Sequence, residues 1–227
     1  MPKKSNASHG RAAALAIAAL LLTSTAAAQQ VIVNTEERPS PWVENGCTIA
    51  PDAKCPGVDL SFVDLRNANL AGANLAGANL ARADLRHANL NGANLQGAIL
   101  DGANLFTVFM NGADLTGARL HGTDLSFVRA GKAKFDGTDI DAATFEKALL
   151  KGASFLKARI VNADLLEAKL YETNLEGAEM QGVRLRFAVF QDAWMKDCKG
   201  CPIHWQTGEP VWETEARERA RQGGASP

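Results

Sequence analysis

Between Leu60 and Met195 the hydrophobic positions of the chain recur every five residues. The central apolar residue of each pentapeptide is most often leucine, and the residue two positions before it is small, usually alanine. The residue between them is mostly polar, and glycine is frequent two positions after the centre. A period of five matches neither the ~3.6 residues of an α-helix nor the ~2 residues of a strand. The pattern therefore predicts a repeated unit of a different kind.

Each pentapeptide predicts a short extended piece followed by a corner. Apolar residues two positions apart share one side of an extended backbone, and the polar residue between them points to the other side. The two remaining residues turn the chain, and glycine suits a turn that requires a positive φ. Extended pieces that alternate with corners form a solenoid, in which each repeat stacks on its neighbours.

A second period, of 20 residues, indicates how the solenoid closes. Two positions after the centre, the column that starts at Gly77 is rich in glycine, whereas the column from Asn67 to Phe187 contains none. Columns of different character imply four pentapeptides to a coil, so the 28 pentapeptides form about seven coils. Coils stacked at the spacing of paired strands, ~4.8 Å, make a rod ~30 Å long.

The stretch "AGANLAGANLARADL" resembles the pentapeptide repeat family, whose motif is A(D/N)LXX. The resemblance covers Val58 to Asp197 and implies an all-β fold, a right-handed quadrilateral β-helix with the centre and the residue two before it inside. We therefore assign residues 58–197 to the β-helix and residues 29–57 to an N-terminal linker and disulfide cap. Residues 198–227 are assigned to a C-terminal cap and tail that includes a short helix.

Residues 1–28 have the three regions of a secretory signal peptide. A basic start precedes an apolar run at 12–22, and an A-x-A site allows cleavage near Ala28. The run has 11 residues, too few for a bilayer span of ~20 residues. The alternative is an uncleaved helix. We expect an exported protein, periplasmic or secreted, with no membrane span.

The four cysteines lie in two pairs at the ends of the repeat: Cys47 with Cys55, and Cys198 with Cys201. An even number of cysteines in an exported protein favours disulfides. A rod ~30 Å long separates the pairs, while a disulfide needs Cα atoms within ~7 Å, which excludes bonds between the ends of one chain. We predict the bonds Cys47–Cys55 and Cys198–Cys201 as structural caps.

Other chemistry was considered at the C-terminal cysteines. "CKGC" has the spacing of a redox C-x-x-C motif but lacks the βαβ context that such motifs have. A zinc site formed by the same cysteines and His204 lacks a nearby fourth ligand. His87 and His121 are expected at outward positions without a nucleophile or metal partner. The sequence thus predicts no catalytic residues, no metal and no cofactor.

Charge narrows the functional classes further. The chain has 24 Lys and Arg against 25 Asp and Glu, and removal of the signal peptide leaves it at about −4. A nucleic-acid binder would show a basic patch or stripe, so no nucleic-acid partner is expected. One outward column is acidic and forms either a solvated ladder or a cation site. It contains Asp64, Asp84, Asn104, Asp124, Thr144 and Asp164.

An apolar patch is predicted on the outside of the rod, around the corner between the second and third columns. Clustered outward aromatic residues on an otherwise polar surface indicate a contact site, unless the rings lie flat or are covered by the terminal segments. The patch consists of Phe106, Phe109, Phe127, Leu149, Leu166, Phe187 and Val189.

These features favour an exported, non-catalytic structural or protein-interaction scaffold that binds an unknown protein partner or itself, possibly as a homodimer. The family resemblance also offers a second hypothesis, because some pentapeptide repeat proteins protect DNA gyrase as acidic mimics of a DNA duplex. The export signal and the mixed surface charge of this chain disfavour that alternative.

Overall fold

Residues 38–202 are described by the structure, a computed structural model. They belong to the second of two compact units, Met1–Glu37 and Arg38–Pro227. The predicted signal peptide, the predicted C-terminal helix and His204 lie outside the described residues.

Five short strands occur in the described part of the chain. Strands β1 (Val43–Glu44) and β2 (Cys47–Thr48) form an antiparallel hairpin just before the repeat. Strands β3 (Asp139–Asp141), β4 (Arg159–Val161) and β5 (Glu179–Gln181) form a parallel sheet in that order. Successive strands of this sheet are 20 residues apart, so each is the same side of the next coil.

The remaining pairings are isolated parallel bridges that extend the same register along the repeat. The first joins Lys54 to Asn74 and the last joins Glu179 to Lys199, and each bridge spans 20 residues. The 20-residue period inferred from the columns is therefore the register of the structure. Within one side, neighbouring amides bond in opposite axial directions: Asn74 N donates to Ala53 O and Leu75 N donates to Asn94 O, both at 2.7 Å.

The interior is filled by the residues that the pentapeptide pattern placed there. The central leucines and the alanines two positions earlier are almost completely buried. Where phenylalanines replace leucine, they pack on one another: Phe135 and Phe155 stack with ring centroids 4.7 Å apart, and Phe145 meets both edge-on. Each buried centre contributes roughly 1.5–3 kcal/mol relative to an exposed one.

Three interior positions hold threonine instead of alanine or valine. The hydroxyls of Thr123, Thr138 and Thr173 donate to backbone carbonyls at 2.7–2.9 Å. A buried hydroxyl without such a bond would be costly. No buried side-chain nitrogen or oxygen atom in residues 38–202 lacks a partner. That part of the chain also contains no helix long and apolar enough to cross a bilayer.

Candidate functional site

The outside of the coils differs most at one corner, which we call the side-chain corner. It is formed by the positions two residues after the second-column centres, and glycine occupies none of them. All seven residues have φ between 53° and 61°. They are Asn67, His87, Thr107, Phe127, Lys147, Glu167 and Phe187.

A left-handed backbone is costly for most of these residues. The conformation disfavours side chains that carry a Cβ by roughly 1–2 kcal/mol, and glycine and asparagine tolerate it best. Other corners of the same coils use glycine for the same conformation, as at Gly77 and Gly97. The side-chain corner therefore keeps large side chains at positions where glycine would cost the fold less.

The apolar patch predicted from the sequence lies at this corner. Phe109, Phe127, Leu149 and Phe187 are 38 to 59 % exposed. The other three members, Phe106, Leu166 and Val189, are half-buried. Most of the apolar surface of the patch thus faces solvent within the described part of the molecule.

Two exposed aromatic residues outside the patch were not singled out from the sequence. Phe62 is 70 % exposed and lies on a different corner, and Trp194 is 56 % exposed while its Nε1 donates to Glu176 at 3.1 Å. Both occupy outward positions of the pentapeptide, so the rule that found the patch would also have found them. Their isolation from the other aromatic residues explains why clustering did not.

A shallow groove of about 420 Å³ runs through the patch. Inside it, the Thr107 hydroxyl and His87 Nδ1 form a hydrogen bond of 2.5 Å. The Phe106 ring meets His87 at 6.4 Å and Phe127 at 5.4 Å, both edge-on. The groove is lined by His87, Thr107, Phe109, Phe127, Arg129, Lys147 and Leu149.

Cationic groups lie over the exposed phenylalanine rings. The Arg129 guanidinium is 5.0 Å from the centre of the Phe109 ring, and the Lys147 ammonium is 5.4 Å from that of Phe127. Arg186 covers Phe187 in the same way at 4.9 Å. Such contacts are attractive by ~0.5–1 kcal/mol at exposed sites. They orient the charges beside the apolar surface instead of away from it.

The arginines of residues 38–202 fall into two groups. Six form ion pairs with carboxylates, as Arg119 does with Asp101 at 2.6 Å. The three that form none within that range each lie over an exposed phenylalanine ring. They are Arg82, Arg129 and Arg186.

The acidic column is largely paired with arginine. Arg66 donates two hydrogen bonds to Asp64 and holds the pKa of that carboxyl well below its ordinary value. Asp84 is paired with Arg86 in the same way, and Asp164 with Arg184 at 2.9 Å. The described residues contain no group of three or more His, Cys, Asp or Glu side chains that could hold a metal ion.

Each end of the repeat carries a disulfide. Cys47 is bonded to Cys55 with Cα atoms 5.5 Å apart, and Cys198 to Cys201 with Cα atoms 5.8 Å apart. Cys55 occupies a centre position, so the first bond joins the hairpin to the interior of the coil. Gly200 lies between the second pair at φ 73°, where an added Cβ would clash with the Met180 carbonyl.

His121 lies away from the side-chain corner. Its Nε2 is 2.9 Å from an Asp139 carboxylate oxygen, and Arg159 contacts the same carboxylate at 2.6 Å. The arrangement is an ion-paired cluster on the rod surface. The structure does not bring His121 and His87 together, because they belong to different columns.

Comparison with known proteins adds a family match. The sequence model for Pentapeptide repeats matches eight copies, within residues 53–92, 68–105, 107–126, 131–165 and 163–199. No curated protein sequence matches the chain.

Several solved structures are also similar. QnrB1, a plasmid-mediated fluoroquinolone resistance protein solved after trypsin treatment, is 15% identical, with 66% of this chain and 80% of that chain covered and a TM-score of 0.41. HetL, involved in heterocyst differentiation regulation in Nostoc, is 27% identical, with 67% and 87% covered and a TM-score of 0.21. A pentapeptide repeat protein from the Arabidopsis thaliana thylakoid lumen is 28% identical, with 51% and 65% covered and a TM-score of 0.26.

Proposed function

The chain belongs to the pentapeptide repeat family, and we propose that it is an exported, non-catalytic scaffold that binds a protein partner through its side-chain corner. The observation that carries this proposal is the exposure of Phe109, Phe127, Leu149 and Phe187 along one corner. Clustered exposed apolar side chains rimmed by polar groups are typical of protein contact sites.

The cost of the corner supports the same conclusion. Phe127 and Phe187 both have a left-handed backbone, at φ 57° and 61°. A corner that served only to turn the chain would be more stable with glycine there. Strain retained at exposed positions is a feature of functional surfaces.

The interior of the coils supports a role without chemistry. The side chains of the centres fill it, including Phe135, Phe145 and Phe155, which are at most 2 % exposed. A ligand would therefore bind on the outer surface. The outward groove is open and apolar, which suits a protein surface better than a small substrate that must be enclosed.

Export is supported by the N-terminal sequence and by the disulfides. Residues 1–28 have the regions of a secretory signal peptide, and disulfides persist in oxidising compartments. Mass spectrometry of the purified chain tests this. We expect a chain that starts at Gln29 and has four hydrogens fewer than its reduced form, because two disulfides are formed. A chain that retains residues 1–28 in the cytoplasm would contradict export.

The alternative role as a duplex mimic receives less support. Such a mimic requires a strongly acidic outer surface, whereas Asp64, Asp84 and Asp164 are paired with arginines. The side-chain corner adds further positive charge through Arg129 and Arg186. The surface is thus mixed in charge, not duplex-like.

Partner capture tests the proposed binding site directly. We expect the double variant Phe109→Ser/Phe127→Ser to lose crosslinked partners in the native compartment, while its melting temperature stays close to that of the unmodified chain. Phe62→Ser is the matched control, since Phe62 is an exposed phenylalanine on another corner. Equal capture by both variants would contradict the site, and sedimentation of the purified chain shows whether the partner is a second copy.

A further inference from the structure

We propose that the side-chain corner recognises an acidic segment of its partner, in which carboxylates are interspersed with aliphatic side chains. The inference rests on the proposed function, and it adds the chemistry of the partner. It follows from three features of the corner: unpaired guanidinium groups, apolar surface beside them, and a local charge opposite to that of the whole chain.

The first feature is the state of Arg129. No carboxylate within residues 38–202 pairs with it, and its guanidinium lies over the Phe109 ring at 5.0 Å. A guanidinium stacked on a ring keeps its N–H donors in the plane of the fork, which matches the two oxygens of a carboxylate. Arg119 shows the contrast, because its fork is already occupied by Asp101.

The second feature is the apolar surface next to each charge. Leu149 is 46 % exposed and lines the groove together with Arg129 and Lys147. A carboxylate bound by these cations would bring the aliphatic side chain beside it against Phe127 and Leu149. A purely ionic partner would leave this apolar surface in water.

The third feature is the charge of the groove. His87, Arg129 and Lys147 line it, and no aspartate or glutamate does, although the chain as a whole has a net charge of −1. Lys147 has an acidic neighbour in Glu146 at 3.2 Å, outside the groove lining. Complementary charge of this kind governs the rate and selectivity of encounter more than the final affinity.

Along the rod the cations continue beyond the groove. Lys169 and Arg186 extend the side-chain corner by one and two coils past Lys147, each coil adding ~4.8 Å. Arg186 again lies over an exposed ring, that of Phe187. From Arg129 to Arg186 the stripe is ~15 Å long, which an extended segment of about five residues spans.

A fluorescent peptide tests the proposal without knowledge of the partner. The probe contains three Glu-Glu-Leu-Leu units, which place carboxylates and aliphatic groups on both sides of an extended chain. We expect saturable binding to the full exported chain by fluorescence anisotropy, weakened by added salt. The comparison peptides replace glutamate by lysine in one case and leucine by serine in the other, and both should bind at least about tenfold more weakly.

Matched variants locate the site. Arg129→Gln/Lys147→Gln should weaken binding of the acidic peptide about tenfold, whereas Arg119→Gln/Lys134→Gln removes two charges outside the side-chain corner and should leave it unchanged. Equal losses in the two variants would overturn the proposal, as would the absence of saturable binding. Equally tight binding of a single-stranded oligothymidylate would also overturn it and assign the corner to nucleic acid.

The outcome is separable from the proposed function. If Phe109→Ser/Phe127→Ser abolishes partner capture while the acidic peptide does not bind, the corner is a contact site and the inferred partner chemistry is wrong. If partner capture is unaffected, the proposed function itself fails.

Discussion

At the scale of the residue, the corner column that contains Gly122 and Ala142 shows what the left-handed turn demands. The two residues are neighbours in adjacent coils, with φ of 62° and 53°. A Cβ added at Gly122 would meet no atom within 4 Å, so only the backbone conformation opposes it. We expect Gly122→Ala to lower the free energy of unfolding by about 1 kcal/mol in urea denaturation.

The reverse substitution one coil away is the control. Ala142→Gly relieves the same conformation and should raise the free energy of unfolding, although by less than 1 kcal/mol, since glycine also increases the entropy of the unfolded chain. If both substitutions destabilise the protein by similar amounts, the turn conformation is not what selects glycine in this column.

The paired aspartates give the stability a dependence on acid. Arg86 donates to both carboxylate oxygens of Asp84 and lowers its pKa below the ordinary 3.8, against the opposing effect of partial burial. Because the folded-state pKa is the lower one, the pair stabilises the fold above pH 3.8, and this contribution is lost as the pH falls through the folded-state pKa.

Denaturation measured from pH 7 down to pH 2 tests this point. The free energy of unfolding should fall below about pH 4, and Arg86→Gln should show a smaller fall because its Asp84 is no longer paired. Lys134→Gln is the control, since Lys134 lies 3.6 Å from Asp114 and is 59 % exposed. A steeper fall in Arg86→Gln than in the unmodified chain would contradict the assignment.

At the scale of the element, the pentapeptide was predictable because burial depends on one strict alternation. The centre and the residue two before it share a side of the extended piece, so the sequence alone identified Leu75 and Ala73 as interior. The register of 20 was also readable, since corners stack on like corners. The sequence showed this before any bridge was seen, through the column of glycines that starts at Gly77.

The detail of the outer surface was less predictable. Phe106 is only half-buried because it packs edge-on against His87 and Phe127, and such contacts depend on rotamers that no periodicity specifies. The position of Arg129 over Phe109 likewise depends on two flexible side chains in neighbouring coils. Sequence reasoning found the patch but missed the charges that lie over it.

The register predicts how the element responds to insertions. One residue inserted after Leu100 shifts every later residue relative to the preceding coil, so centres such as Leu105 would leave the interior. We expect the variant to lose cooperative unfolding, as measured by circular dichroism during heating.

An insertion of a whole coil is the matched control. Duplicating residues 81–100 after Leu100 adds 20 residues and preserves every bridge partner, so the variant should fold and melt at an equal or higher temperature. Unchanged melting of the one-residue insertion, or failure of the duplication to fold, would contradict the register that the bridges show.

At the scale of the whole repeat, stability is a sum of contacts between adjacent coils. Each end therefore exposes a coil that has only one neighbour, and an unprotected end pairs readily with other chains. The Cys47–Cys55 bond fastens hairpin β1–β2 over the first coil, where Ile49 is also buried. Loss of this bond should loosen the end before it affects the middle.

Hydrogen exchange of Cys47→Ala/Cys55→Ala tests that expectation. Removal of a bond that spans 8 residues costs about 2 kcal/mol by the loop-entropy argument. Because the coils interact only with their neighbours, we expect faster exchange in residues 50–75 and little change in residues 115–165. Cys198→Ala/Cys201→Ala should show the mirror image, with faster exchange confined to the last coil. Uniformly faster exchange in every coil would mean that the repeat unfolds as one unit and that its ends do not act as independent caps.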